Sequence, residues 1–500
     1  MAVATGPSGS NDEYLYNLDT FLSTTISRVV STKPTISTSS SSSSSSKTNY
    51  KLGDIQTKML ASLTKTLQNT HNLYFLLGAG SNQHNQLLLD NTIHDENDNF
   101  VNAADLVDGE DSHLLNDIFL ITPTNINSRP KSLYAGGGHS ALLTEHNDLY
   151  LWGWNECGQL GRNSIIPSAN QNKSKLEIIE KLNFKVVKAA LGHSHTLIIE
   201  EGSHKLYTFG DDSRGQVSGH NGGIDGNTIV QDPILICENE QFIDIDAGVF
   251  HSAGITTTGE LITFGCGKFH QTLPTTSKSS SSSSSPSHTM FGHWKPDDGS
   301  KLIKVKCGRR HTIILDEHGR VWTMGENKKY GQLGRNRDNC AVSNVPELVD
   351  GTLGQKGSGC IDIDCGWSHS VAVVDDTSQG NLKLYGWGRS DKSQFGIHNT
   401  HHIDTPHLIL GNNMDKSLNI RFNGKLSCGS ESLIIQEEDG QLYGCGWNEH
   451  GNLATGVGDD SVRFFTKVTG AKIRNYYNID GDHRNIIMAS GGAHLLVAML

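Results

Sequence analysis

The residues of this chain with the most chemistry to offer are histidines that recur at one fixed place. His139, His195, His251, His311, His369 and His494 each follow a glycine by three positions: Gly136, Gly192, Gly248, Gly308, Gly366 and Gly491. Imidazoles placed in this way read as metal ligands, as general bases, or as structural hydrogen-bonding groups. Cys307, Cys365 and Cys428 stand just before the motif glycine, and His398, His401, His402 and His407 crowd one short stretch. Zinc takes a closed tetrahedron of nitrogen and sulfur ligands, and nucleophilic catalysis takes a base beside a nucleophile. A position repeated once per repeat unit is too far from its copies to share one metal, so the histidines read as structural, each with a hydrogen bond inside its own repeat. The cysteine position holds Ala135, Leu191, Ala247 and Ser490 in other copies, which fits a small buried side chain and not a ligand. The four clustered histidines fit no closed ligand set. No Gly-x-Ser-x-Gly elbow, His-Glu-x-x-His pair or Gly-Lys-Ser/Thr phosphate loop occurs. The expectation is a non-enzyme with no cofactor and no metal.

The elements that must position these histidines form an internal repeat. The histidine position advances in steps of 56 to 63 residues, counting a degenerate copy in which Ser432 follows Gly429 by three. Apolar residues alternate after each histidine, then a turn leads to a second apolar stretch ending in glycine, as at 149–153, 206–210, 261–265 and 321–325. The last copy, 489–500, has no downstream partner, whereas an orphan partner stands upstream at 73–87. Six whole units and two complementary halves make seven. A single small sheet cannot bury both of its faces, but seven stacked radially can. The predicted fold is all-β, a seven-bladed β-propeller over 73–500, closed by pairing of the C-terminal strand with the N-terminal half-blade. The glycines before the histidines and after the second apolar stretch mark close backbone approach or positive φ near a crowded axis.

Residues 1–70 lie outside the repeat. They carry two stretches of helical spacing around an unbroken serine run at 39–46, and read either as a disordered tail with transient helices or as a docking helix. A second serine run at 279–285 marks a loop insertion over about 272–298. The net charge of −12 gives no support to nucleic-acid or anionic-membrane binding, and no apolar run approaches a membrane span. Nine scattered cysteines without a Cys-x-x-Cys, and an N-terminus without a secretory signal, point to a reducing compartment, cytoplasmic and possibly nuclear.

One repeat departs from this acidic background. Residues 301–337 hold ten basic side chains, Arg309, Arg310, Lys328 and Lys329 among them, against three acidic ones. These are either solvated loop charges or a patch that steers an acidic protein or RNA. Trp154 and Trp447 follow a hairpin glycine directly, and Trp367 occupies a variable position inside Gly-x-x-His. They read as anchors of a partner interface, with His450 beside Trp447, or as packing between repeats.

The run Ala135-Gly-Gly-Gly-His-Ser-Ala-Leu-Leu, with Leu149-Tyr-Leu-Trp-Gly-Trp-Asn-Glu-Cys-Gly-Gln-Leu-Gly161, resembles the repeat of the regulator of chromosome condensation family. Within that family the chain is similar to the fungal alpha-tubulin suppressor branch. The similarity lies in Gly78-Ala-Gly-Ser-Asn-Gln-His-Asn-Gln-Leu87, in Tyr443-Gly-Cys-Gly-Trp-Asn-Glu-His-Gly-Asn452, and in the closing strand. The resemblance implies a non-catalytic partner, as monomer or heterodimer, of the small zinc-binding factor that serves diphthamide biosynthesis and Elongator-dependent tRNA wobble uridine modification. The alternatives are nucleotide exchange on a Ran-type GTPase and a microtubule-related role.

Overall fold

Every blade begins with a strand that is followed directly by a glycine at the propeller axis, and the computed structural model shows how the ring is built from there. It describes residues 75–81, 83–84, 86–87, 93–94, 100–101, 119–121, 126, 128–161, 185–224, 226–274, 291–376, 381–397, 402–410, 420–456, 459–468 and 486–499. Residues 1–70, the two serine runs, His398 and His401 lie outside the described residues. Blade 1 is Pro130–Ala135, His139–Thr144 and Leu149–Gly153. Blade 2 is Val186–Leu191, His195–Glu200, Leu206–Asp211 and Ile229–Ile236; blade 3 is Phe242–Ala247, His251–Thr256, Leu261–Gly265 and Gly292–Trp294. Blade 4 is Leu302–Cys307, His311–Asp316, Val321–Glu326 and Val342–Leu348; blade 5 is Cys360–Cys365, His369–Asp376, Asn381–Gly388 and Ile403–Leu410. Blade 6 is Phe422–Cys428, Ser432–Glu437, Leu442–Trp447 and Ser461–Lys467.

Blade 7 is assembled from both ends of the chain, in the order Ile486–Ser490, His494–Met499, Phe75–Gly80, Phe119–Ile121. Antiparallel pairing runs from Phe75↔Met499 through Leu77↔Val497 to Gly80↔His494. The first strand of each blade packs on the first strands of both neighbours, and the series closes from blade 7 to blade 1. The fold is the predicted all-β, seven-bladed propeller. One difference concerns the predicted insertion at 272–298: Leu273 is buried and Gly292–Trp294 is the fourth strand of blade 3, so both flanks belong to the blade. Among the described residues a 3-10 turn at Thr352–Gly354 is the sole helical element, and none is long and apolar enough to cross a membrane.

The core is divided among the joints between blades. Seven apolar clusters occupy the seven interfaces; Leu143, Leu151 and Leu160 of blade 1, for example, meet Ile198 and Phe209 of blade 2. The second strand of a blade is buried on both faces, as in His139–Thr144, where all six residues are buried. Such burial is why the sequence there reads as nearly continuous apolar and small residues.

At the axis the motif glycines form a closed ring. A Cβ on Gly136 would lie 2.6 Å from the Gly192 carbonyl oxygen and 2.6 Å from Cε1 of His139, and the same crowding passes round the ring to Gly491 and back to Gly136. Interblade backbone bonds follow the ring, including Gly137 N–H to Gly192 O (3.0 Å) and Gly492 N–H to Gly136 O (2.9 Å). Because the obstructing atom is backbone, it cannot move aside. Gly136→Val should therefore cost on the order of 3 kcal/mol, read as a lowered thermal midpoint. Gly202→Ala, where nothing lies within 4 Å and only the positive φ resists, serves as the mild control.

The first strands also carry charge across the joints. Lys188 pairs with Asp244, Lys304 with Asp362, and Lys306 with Asp364 at 3.1 Å. Asp246, whose carboxylate accepts from the Cys307 N–H at 2.6 Å, is raised to about 6 by burial despite nearby Lys306.

A candidate interaction face around the axial opening

In an antiparallel blade the loop from first to second strand and the loop leaving the third strand emerge at the same end. Gly-x-x-His forms the first loop and the run after the hairpin glycine forms the second, so both repeat signatures build one face. The second loop is locked by its own motif. Asn155 Oδ1 accepts from the Leu160 N–H at 2.8 Å, the Gln159 side chain accepts from the Cys157 N–H at 3.0 Å, and Leu160 is buried. Asn327 to Leu333 and Asn448 to Leu453 repeat the first of these bonds at 2.9 Å.

The histidines strap each blade to the next, which corrects the expectation of a bond within a blade. Nε2 of His139 meets Thr196 (3.0 Å), His195 meets Ser252 (2.9 Å), His251 meets Thr312 (3.0 Å), His311 meets Ser370 (3.0 Å), and His494 meets Ser140 (2.9 Å). Each hydroxyl donates its proton to a glutamine carbonyl in the preceding loop, such as Thr196 to Gln159 O at 2.8 Å. The hydroxyl proton is thus committed, and the imidazole must be the donor through Nε2–H. The physical reason for the crossing is geometric: at the start of a fully buried second strand, the neighbouring blade lies nearer than any polar group of the same sheet. Two copies depart. His369 faces Leu433, and Ser432 faces Leu495, where hydroxyls stand elsewhere. The second joint relies instead on Ser430 Oγ to Gly492 O (2.5 Å) and Ser490 N–H to Ser427 Oγ (2.8 Å). Burial first pushes the imidazoles of His139, His251 and His311 down to about 3, and those of His195, His369 and His494 to about 4.

Seven of the eight residues expected to meet a partner lie in the loops of this one end, and the eighth, Trp447, ends the strand that enters it. Arg309 is exposed and lies over the Trp367 ring, 5.5 Å from its centroid. Lys329, beside exposed Lys328, lies 4.7 Å from the Tyr330 ring. Arg310 is only half-exposed: it lies 3.9 Å from the Phe269 centroid and is paired with Glu326 at 3.0 Å. Trp447 meets His450 edge-on at 5.2 Å and donates to Glu449 at 3.0 Å. Trp154 stands apart from these on blade 1, stacked on His84 at 5.3 Å and edge-on to His193 at 6.1 Å.

The broad basic patch expected of residues 301–337 is much reduced. Lys304, Lys306, Arg310, Arg320, Arg335 and Arg337 all have acidic partners, several of them on blade 5. Among the described residues, Arg309, Lys328 and Lys329 remain on this face without an ion pair. For Lys304, Lys306 and Arg337 the physical cause is register, since acids of blade 5 stand opposite them across the joint, whereas Arg310, Arg320 and Arg335 are neutralised by acids of blade 4 and of the turn entering it.

Sequence reading missed His84, His193, Phe269 and Tyr330, and also Arg389, which pairs with buried Glu431 at 2.9 Å and Asp391 at 2.5 Å. Arg389 follows Gly388 as Trp154 follows Gly153 and Trp447 follows Gly446, so aligning that single position would have found it. Burial raises Glu431, with Arg389 opposing the shift. The cysteines are inert: burial pushes the thiols of Cys307, Cys365 and Cys428 well up. His402 packs edge-on to Tyr330 at 4.9 Å, and among the described residues no three His, Cys, Asp or Glu side chains converge as a metal cradle.

Seven blades keyed by an axial glycine ring, with imidazole straps between most neighbours, define a repeat propeller whose two sequence signatures both build the loops of one end. The chain belongs to the RCC1-like domain family, whose model matches residues 75–498. It is similar to the E3 ubiquitin-protein ligase HERC2 of Mus musculus, 26% identical over 387 residues covering 74% of this chain, although it spans only 7% of that relative's length. It is 27% identical to the ultraviolet-B receptor UVR8 of Arabidopsis thaliana (68% of this chain, 70% of the relative). It is also 27% identical to the secretion-regulating guanine nucleotide exchange factor of Bos taurus (66% and 69%). Among solved structures, yeast RCC1 (Prp20) bound to Kap60 superposes with a TM-score of 0.63 at 18% identity, covering 93% of this chain and 96% of that one, a likeness of fold.

Proposed function

We propose that this propeller is a non-catalytic interaction protein whose Gly-x-x-His face docks an acidic protein partner. The observation that carries the reading is the set Arg309, Lys328 and Lys329, cations without carboxylate partners, with Arg309 over half-exposed Trp367 and Lys329 over half-exposed Tyr330. Half-exposed aromatics and cations of this kind anchor interfaces. The partner we infer is the small zinc-binding factor of diphthamide biosynthesis and Elongator-dependent tRNA modification. Support comes from the resemblance of residues 78–87 and 443–452 to alpha-tubulin suppressor proteins, since each segment begins in the third strand of its blade, Phe75–Gly80 or Leu442–Trp447, which ends at this face.

Nucleotide exchange on a Ran-type GTPase is the second reading. The name of the bovine relative favours it, and so does a small ribbon, Ile93–His94 paired with Phe100–Val101, in the loop leaving the third strand of blade 7 at this same end. Affinity purification of the tagged chain decides between them: recovery of a small zinc protein with Elongator subunits supports the first, and recovery of Ran, with accelerated mant-GDP release from it, supports the second. Arg309→Glu with Lys328→Glu should weaken capture about tenfold or more while thermal stability stays unchanged, because neither side chain carries an ion pair. Undiminished capture removes this face from the proposal.

A further inference from the structure

The opposite end of the ring carries a feature that the docking face does not use. In five blades the second residue of the first strand falls out of register with its neighbour: Lys131, Val187, Ile243, Ile303 and Ile361. Each is a β-bulge, in which the extra residue is left unpaired and its side chain is turned away from the sheet. Its predecessors in the strand, such as Phe242 and Leu302, are fully buried, whereas Ile243, Ile303 and Ile361 are 44%, 44% and 52% exposed. The fold itself does not ask for isoleucine there, since blade 1 places Lys131 at the same bulge. First strands of adjacent blades pack on one another, so the isoleucines of blades 3, 4 and 5, exposed at one position of three successive first strands, follow an arc around the ring at the end opposite the Gly-x-x-His loops.

The charge around the arc is one-sided. Glu238, Glu240, Asp297 and Glu317 in the strand-connecting turns at this end, and Asp375 near the end of the second strand of blade 5, make no ion pair among the described residues. Other acids there are already engaged: Asp298 by Arg320 and Lys356, and Asp376 by Lys383. Against these five carboxylates stand Lys295, Lys301 and Lys205, whose ammonium rests on the backbone carbonyls of Glu238 and Glu240.

We infer that this second face docks a basic amphipathic segment of another protein, its apolar side chains on Ile243, Ile303 and Ile361 and its lysines or arginines on the surrounding carboxylates. An acidic partner or an anionic membrane would meet like charge here, and the site is independent of the Gly-x-x-His face at the other end. The direct test is fluorescence anisotropy of the full chain with two labelled amphipathic helical peptides, one of leucine and lysine and one of leucine and glutamate. The lysine peptide should bind at least tenfold more tightly, and less tightly as salt is raised.

Ile303→Lys with Ile361→Lys, the residue blade 1 already carries, should reduce that binding tenfold or more. Glu317→Lys with Asp375→Lys, which leaves the arc intact, should do so as well, and Arg309→Glu should not. Equal binding of the two peptides, or binding that neither double variant changes, overturns the inference. So does a concentration-dependent dimer in sedimentation that Ile303→Lys with Ile361→Lys abolishes, because the arc would then belong to a second copy of this chain.

Discussion

Deletion of residues 494–500 should abolish cooperative folding and leave a chain recovered mainly as aggregate. His494–Met499 is the central strand of blade 7, bonded to Ile486–Ser490 on one side and Phe75–Gly80 on the other. Leu495, Leu496, Val497 and Ala498 are all at most 2% exposed and belong to the clusters at both joints of the blade. Their loss strips two of the seven interfaces and leaves the edge of Phe75–Gly80 open for pairing with other chains. A graded version is Leu496→Ala, for which a buried truncation of this kind costs about 3 kcal/mol. Circular dichroism melts and size-exclusion profiles of the two variants check both statements. A soluble, cooperatively melting deletion variant would mean that six blades suffice.

Acid should dismantle the propeller over a window set by its buried imidazoles. Histidine in an unfolded chain titrates near 6.5. Burial holds six of them at about 3 to 4 in the folded protein. Nε2–H of the five straps is already spent on the neighbouring hydroxyl, and Nδ1 of His139, His251, His311 and His494 is buried without a hydrogen-bond partner. A second proton on those rings would have no acceptor. Because the folded pKa lies below the unfolded one, the unfolded chain takes up the extra protons. Stability is therefore fully present about a unit above pH 6.5, begins to fall near that value, and below it falls towards the folded values by about 1.4 kcal/mol per unit for each imidazole. At pH 5 the six together forfeit on the order of 10 kcal/mol, comparable with the whole stability of a typical domain. Asp246, raised to about 6, and Glu431, raised by burial, act with the opposite sign but are few. Urea midpoints at pH 7.5, 6.5 and 5.5 should fall modestly between the first two, by the equivalent of about 2 kcal/mol for six imidazoles, and then steeply. A midpoint that is flat down to pH 5.5 would show that the straps are hydrated or already protonated.

The blade count and the closure were legible because repetition is a one-dimensional signal: a front half at 489–500 and a back half at 73–87 can be matched without knowing any contact. The partner of each imidazole was not legible in that way. Periodicity says that His139 and Thr196 recur, but a bond within one sheet and a bond to the next sheet have the same period. The interblade ion pairs did leave a trace. Lys304 and Asp362 are 58 positions apart, as are His311 and His369, so the base and the acid hold one register in successive blades. Read without that alignment, the bases of residues 301–337 pass for a surface patch. The bulge isoleucines were invisible for a different reason: an unpaired residue in a strand does not disturb the apolar pattern, and only the lost register shows that Ile303 points away from the core.

Among the described residues, the interface between blades 6 and 7, where Ser432 meets Leu495, is the one joint of the ring without a motif imidazole. Protonation therefore has nothing to break there, while every other joint loses or strains a buried ring. Since blade 7 holds both termini of the propeller, a partly acidified molecule would part elsewhere first and keep its two ends clasped, opening as a gapped ring that can shut again on neutralisation.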